Sequence, residues 1–336
     1  PFAAAASASK DATHLRVYVY DLPRMVTARR AYASDDDRQE IFSLMQHFTS
    51  ALLGDPAHLT DEPSSADVFV VPVLTTNMEG LTQYPEHVAW HLQHEYGPWF
   101  NRSHGTDHVW FISSDHGGMI APRKASRGIY MAHYYTSARL AAHPRHLNPA
   151  PYLGLGVTAE AKSTYARYGT AAWDEANRRR TLTLFFAGNM NLADTSDHYS
   201  EGVRRRLWLH HANTSGFRIV ERSASYVDDY RRSVFCAAPL GEGWGIRLVW
   251  SIALGCIPVM FASRVRQPWD DLVEYGDFSV RVRRDQIPSL PSLLRAIGEP
   301  ELARLRRGLA TRHRLFLWEQ PYGLAYNVSM RELCRR

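Results

Sequence analysis

Cysteine is scarce in this chain. Cys236, Cys256 and Cys334 are too few to build a disulfide scaffold. No apolar run reaches the roughly 18 residues of a membrane-spanning helix. No signal peptide is visible at the start. The opening PFAAAASASK is small and low in complexity, and reads as the end of a linker ahead of a lumenal fragment. No internal repeat is present, which excludes solenoids and propellers. No His/Cys cluster has metal-ligand spacing.

What is present is an ordinary globular composition. Of 336 residues, 45% are hydrophobic and 22% charged, and that length favours two domains. The net charge of +5 is carried largely by arginine. It implies either a solvated basic surface or attraction for polyanions, sugar phosphates or an anionic membrane face. Three N-x-S/T sequons, at Asn101, Asn213 and Asn327, hint at the secretory pathway.

Arg16–Tyr20, RVYVY, reads as a strand closed by the turn DLPR. Ile41, Leu44, Met45, Phe48 and Leu52 fall on one helix face, with acidic Asp35–Asp37 suiting its start and Gly54 its end. Ala66–Val73 and His108–Gly118 read as buried parallel strands, with a helix over Pro85–Phe100 between them. Residues 140–180 are rich in loop chemistry. The pattern then restarts with a strand at Thr181–Gly188, a helix near His198–His211 and a strand at Phe217–Glu221. A helix over Ser225–Arg232 and a strand at Val234–Pro239 follow. After a strand-like FSVRV, the rest reads as helices. The expected organisation is α/β: a linker over 1–14, a Rossmann-like domain over 15–150 and a connection over 151–180. A second Rossmann-like domain over 181–298 and a helical segment over 299–336 complete it.

The densest signal is APLGEGWGIRLVWSIALGCIPVMF, Ala238–Phe261. It reads as strand, glycine loop, helix capped by Gly255, and strand. In such a unit the loop lies at the carboxyl edge of the sheet and the helix start faces what binds there. Unpartnered first-turn amides suit a phosphate, and Arg247 adds a forked contact to a diphosphate oxygen. Cys236 and Cys256 flank this unit on neighbouring strands, and are either bridged or two buried thiols.

Extended to FSV, this stretch resembles the exostosin family, glycosyltransferase family 47. The matching positions are Ser233, Phe235, Cys236, Pro239, Gly241, Arg247, Gly255–Val259, Pro268 and Phe278–Val280. RVYVYDLP, ADVFVVPV, DHVWFISSDHG, LFFAG and LFLWE match further family motifs in order, over about residues 15–320. The resemblance implies a GT-B fold, with two Rossmann-like domains facing a cleft and a nucleotide sugar in the C-terminal one. It implies an inverting glycosyltransferase, a type II membrane protein anchored ahead of this chain in the Golgi lumen. The donor would be a UDP-sugar and the acceptor a polysaccharide or glycoprotein glycan. A heteromer with another glycosyltransferase fits the family, and nucleic acid is not an expected partner. The alternative is a non-catalytic glycan- or nucleotide-binding partner; a third is a basic polyanion-binding protein. One position departs from the pattern. Where many relatives carry Glu a few residues after the arginine, this chain has Trp250. An indole cannot accept two ribose hydroxyl bonds.

The donor candidates are therefore Gly241, Glu242, Gly243, Trp244, Gly245 and Arg247. Either Trp250 faces the sheet as core and Glu242 or another group reads the ribose, or donor binding is altered or lost. Tyr226 either stacks on the base or packs in the core. For the base that deprotonates the acceptor, Asp115 comes first and His116 second; Asp115 equally suits a cap on the amides of Gly117 and Gly118. Asp21 reads as part of a turn. His133, Tyr134 and Tyr135 read as core before acceptor face. Asp35–Asp37 read as a helix start and not a metal site, so metal-independent chemistry is expected.

Overall fold

The computed structural model describes residues 15–23, 41–73, 83–113, 115, 117, 127–133, 145–154, 156–261 and 263–335. Asp35–Asp37, His116, Tyr134 and Tyr135 lie outside them. The chain divides into two compact units, residues 1–152 with 324–336, and residues 153–323.

The first unit is built on four parallel strands in the order β1-β2-β3-β4. They are β1 (Val17–Val19), β2 (Val68–Val71), β3 (His108–Ile112) and β4 (Ile129–Ala132). Every residue of β2, β3 and β4 is buried, the signature of a parallel sheet covered on both faces. Helix α1 (Leu44–Leu53) buries the face read from its periodicity, Leu44, Met45, Phe48 and Leu52, and Gly54 follows its last turn. The single helix expected over Pro85–Phe100 is two helices, α2 (Gln83–Glu95) and α3 (Gly97–Asn101). Pro98 sits in the first turn of α3, where its missing N–H is tolerated, and so starts a new helix instead of continuing the old one. Strand β4 was not anticipated, because a four-residue apolar run carries no period.

The second unit begins earlier than its first strand. Residues expected to form a connection fold into α4 (Val157–Tyr165) and α5 (Ala171–Arg178). The Thr170 hydroxyl caps α5 by accepting from Trp173 N at 3.3 Å. The Tyr165 hydroxyl donates to the Ile252 carbonyl, which ties α4 to the helix over Arg247–Ala253. The core is a five-stranded parallel sheet in the order β6-β5-β7-β8-β9. Along the chain come β5 (Leu182–Ala187), α6 (Val203–His211), β6 (Phe217–Val220) and α7 (Tyr226–Arg232). Next are β7 (Ser233–Ala238), α8 (Arg247–Ala253), β8 (Ile257–Phe261), β9 (Val280–Val282), α9 (Leu290–Arg295) and α10 (Glu299–Arg312). Cys236 in β7 and Cys256 just before β8 are bridged, with Cα atoms 5.8 Å apart; both are fully buried.

The last helix, α11 (Ala325–Arg335), belongs to the first unit. Its Tyr326 ring lies 5.6 Å from Phe48, and its hydroxyl donates to Asp55 Oδ2 at 2.9 Å. The 299–336 segment is therefore divided: α10 packs in the second unit and α11 in the first. The α/β class, with two parallel sheets flanked by helices, is the one expected.

Candidate functional site

Strand order decides where the second unit can hold a ligand. From β5 the chain steps outward to β6, then returns past β5 to β7 and continues to β8. The direction reverses between β5 and β7. Right-handed crossovers place α6 on one face and α7 and α8 on the other. The carboxyl ends of β5 and β7 therefore part around a crevice, the usual ligand position in an open α/β sheet.

Residues from both helix starts reach that crevice. Arg247, first in α8, uses Nε to donate to the Ala187 carbonyl at 3.3 Å. Arg204, in the first turn of α6, is 2% exposed. Its Nε donates to the Leu240 carbonyl at 2.8 Å, and its Nη1 donates to Asn189 O at 3.2 Å and to the Tyr199 hydroxyl at 2.7 Å. Its guanidinium lies 5.0 Å from the centre of the Tyr199 ring and 5.4 Å from that of Phe186. The two arginines meet over Gly188, the residue after β5. A Cβ there would lie 2.8 Å from Arg247 Nη2 and 3.4 Å from Arg204 Nη1. The guanidiniums occupy the place that a side chain here would take.

The electrostatics are unbalanced. Among the described residues no carboxylate pairs with Arg204 or Arg247, and the terminal nitrogens of Arg247 have no hydrogen-bond acceptor. Burial, and then the neighbouring Arg247 charge, lower the Arg204 pKa from 12.5 to about 10. Two like charges drawn together in a poorly hydrated crevice are an unfavourable arrangement that a bound anion relieves.

The glycine loop closes one side. Gly241 N donates to the Trp244 carbonyl at 2.8 Å, so that amide is used inside the loop; its carbonyl accepts from Ser200 N at 3.0 Å. Gly243 and Trp244 are buried, and Gly245 is half-buried. A Cβ on Gly245 would approach Pro239 O to 2.6 Å, so the turn requires glycine. Ser200, Glu201 and Gly202 have consecutive positive φ values of 56°, 49° and 72°, a strained strap beside the loop. Glu242 is exposed and faces His198 Nε2 at 3.4 Å.

Tyr226 and Trp250 are aromatic neighbours in the packed layer under the loop. Trp250 stands edge-on to Tyr226 at 5.5 Å, and Tyr226 edge-on to Phe185 at 5.9 Å. Both pack against the buried cluster of Phe185, Tyr230 and the cysteine bridge. The Trp250 indole is thus a packing group.

In the first unit, Asp115 sits half-buried in the turn after β3, two residues before Gly117, whose φ is 52°. His133 is buried, with Nδ1 donating to Pro149 O at 3.2 Å; burial lowers its pKa to about 4. A charged relay that runs from the surface inward also lies in this unit. Arg102 Nε donates to Asp107 Oδ2 at 3.0 Å, and His108 Nδ1 donates to Asp107 Oδ1 at 2.8 Å. That leaves His108 Nε2 to accept from the Tyr20 hydroxyl at 2.7 Å. Burial works against the Asp107 carboxylate, but the bonds from His108 and Arg102 outweigh it and hold its pKa near 2. Among the described residues, no three His, Cys, Asp or Glu side chains gather in a metal-holding group.

Arg204 escaped the sequence reading. Its only signal was the run Arg204–Arg206 at a helix start, which reads equally well as surface charge.

The Exostosin GT47 domain model matches residues 11–297. The chain is 28% identical over 352 residues to a probable glucuronoxylan glucuronosyltransferase of Arabidopsis thaliana, covering 95% of this chain and 70% of that one. To a second probable glucuronoxylan glucuronosyltransferase of the same organism it is 28% identical over 342 residues, covering 95% and 74%. A solved structure, Anabaena Alr3699/HepE in complex with UDP and glucose, aligns with a TM-score of 0.42 at 9% identity, covering 90% of this chain and 96% of that one.

Proposed function

The chain belongs to the exostosin GT47 family of glycosyltransferases, and from that premise we propose that it transfers a sugar from a UDP-sugar to a glycan with inversion at the anomeric carbon. The carrying observation is the pair Arg204 and Arg247 over Gly188, without a carboxylate partner among the described residues.

In this reading the donor diphosphate lies in the crevice between β5 and β7. Arg247 turns its terminal nitrogens to one phosphate, and Arg204 adds a second charge from the opposite face of the sheet. The acceptor hydroxyl attacks the anomeric carbon as the bond to the diphosphate oxygen breaks. Its proton goes to Asp115, and the negative charge that develops on the leaving diphosphate is met by the two guanidiniums. Two fixed positive groups make a divalent ion unnecessary for that stabilisation. With Trp250 used in packing, Glu242 beside the loop is the proposed reader of the ribose hydroxyls. The relatives' names make UDP-glucuronic acid one of the donors to test first. A secretory lumen is supported by the buried Cys236–Cys256 bridge and by exposed sequon asparagines at Asn101 and Asn213.

The test is a titration of UDP and a UDP-sugar panel, followed by thermal shift and by transfer, with and without EDTA. UDP should raise the melting temperature in EDTA. Arg247→Ala should remove that shift and cut transfer by about 100-fold or more. Asp115→Asn should lower turnover and leave UDP affinity unchanged. A chain that ignores UDP, or an Arg247→Ala protein that binds it as before, overturns the reading.

A further inference from the structure

At the other edge of the second sheet, where its strands begin, lies a cavity of about 380 Å³. Its wall carries Trp173 and five arginines: Arg167, Arg179, Arg180, Arg231 and Arg232. Arg167 follows α4, Trp173 lies in α5, Arg179 and Arg180 lie between α5 and β5, and Arg231 and Arg232 end α7. The wall contains no Asp or Glu. The length of β5 separates this edge from Gly188, about 20 Å at the usual rise per residue. The cavity is therefore no part of the diphosphate crevice.

The five charges are not equivalent. Arg180 is structural: its guanidinium donates to Gly255 O at 2.8 Å, to Tyr230 O at 3.2 Å and to the Ser233 carbonyl, pinning the starts of two strands. Arg179 pairs with Glu175 at 2.6 Å, but Glu175 also serves Arg178 at 2.9 Å. Arg231 pairs with Glu160. Arg167 and Arg232 are exposed, and no carboxylate among the described residues pairs with either; Arg232 Nε donates only to Thr181 Oγ1, at 3.4 Å. The wall thus carries an excess of positive charge.

The mixture of groups narrows the ligand. Guanidiniums bind carboxylate and sulfate through forked bonds. Ser163 and Thr164 lie on the same wall and carry hydroxyls, while Trp173 beside them is 7% exposed and packs on Tyr165 and Tyr168. Charge and hydroxyls together match an acidic sugar, which presents both an anion and hydroxyls. The volume falls within the range of small-ligand sites, roughly 300–1,000 Å³. We propose that this cavity binds an acidic sugar residue, carboxylated or sulfated, of a glycan chain. Bound there, a chain is held on the second unit and its local concentration at the transferase rises. Binding at this site does not depend on the transfer reaction.

The experiment uses the whole chain and calorimetric titration with three hexasaccharides of equal length: an oligouronate, a sulfated uronate and neutral xylohexaose. The two acidic sugars should bind and weaken with added salt, and xylohexaose should not bind. Arg167→Glu with Arg232→Glu should reduce acidic-sugar affinity by about tenfold or more. The response to UDP should be unchanged, and so should acidic-sugar binding by the control Arg295→Glu on α9. Arg167→Ser and Arg232→Ser, each measured singly, should each show a smaller loss, which keeps the test valid if the double variant melts early. Equal binding of xylohexaose overturns the proposal, as does a double variant that binds the acidic sugars like the parent. Competition by inorganic phosphate or phosphatidylserine vesicles at concentrations that match the sugars also overturns it, in favour of a phosphate ligand.

Discussion

The two units treat buried charge in opposite ways. In the first, the Asp107 carboxylate is enclosed by His108 and Arg102, and the relay ends on the Tyr20 hydroxyl. Every charge in that relay has a protein partner. In the second, Arg204 is more deeply buried, but its partners are carbonyls and a phenol, and its nearest charged neighbour, Arg247, repels it. The sheets differ in the same sense. The described strands of the first step in one direction, whereas the second reverses direction between β5 and β7. A compensated charge in an unbroken sheet is a structural device. Uncompensated charges at a reversal are what the proposed donor site rests on.

The sharpest way to break this comparison is Arg204→Ala. If the second unit's charge serves the donor, this change lowers transfer and UDP affinity by about 100-fold while the fold persists, because a like-charge contact is removed. Unfolding without a selective loss of UDP binding would make Arg204 structural, like its counterpart in the first unit. The reverse experiment is Asp107→Asn. It should cost about 3 kcal/mol of stability in denaturant, since His108 and Arg102 lose their carboxylate, and leave UDP affinity unaltered. A stable Asp107→Asn protein with failed turnover would transfer functional weight to the first unit.

A smaller effect comes from groups buried neutral in both units. His133 in the first and His313 in the second have pKa values pressed down by burial to about 4, against 6.5 when exposed. Between those limits the unfolded chain takes up the protons that the folded chain refuses. Their stabilising contribution is therefore complete above about pH 6.5 and is lost as the pH falls toward 4. At pH 5 each should cost about 2 kcal/mol relative to pH 7. Urea midpoints at the two pH values check this: His313→Asn should shrink the difference. An unchanged difference would show that His313 is not buried as described.

Much of the scaffold was readable from pattern alone. Apolar runs such as Phe69–Val71 and Val109–Ile112, rich in β-branched and aromatic residues and followed by turn residues, read as covered parallel strands, and α1 declared its buried face through its period. The glycine loop and Arg247 were readable because helix starts and glycine turns have local rules. Strand β4, the break at Pro98 and helices α4 and α5 were harder, since short elements take their stability from packing and not from propensity. Arg204 was unreadable for a related reason. Arg204, Arg205 and Arg206 are chemically identical, and only the placement of α6 turns the first toward Gly188, while Arg206 pairs with Asp197 at 2.6 Å.

The sequence by itself determined the α/β class, the family and the glycine loop ahead of Arg247, because period, glycine placement and motif order are local properties. Only the tertiary structure decided which arginines converge, that Cys236 meets Cys256, and that Trp250 packs with Tyr226. Those outcomes depend on the order in which strands lie side by side. That order is set by the packing of the whole sheet, and no short stretch of residues encodes it.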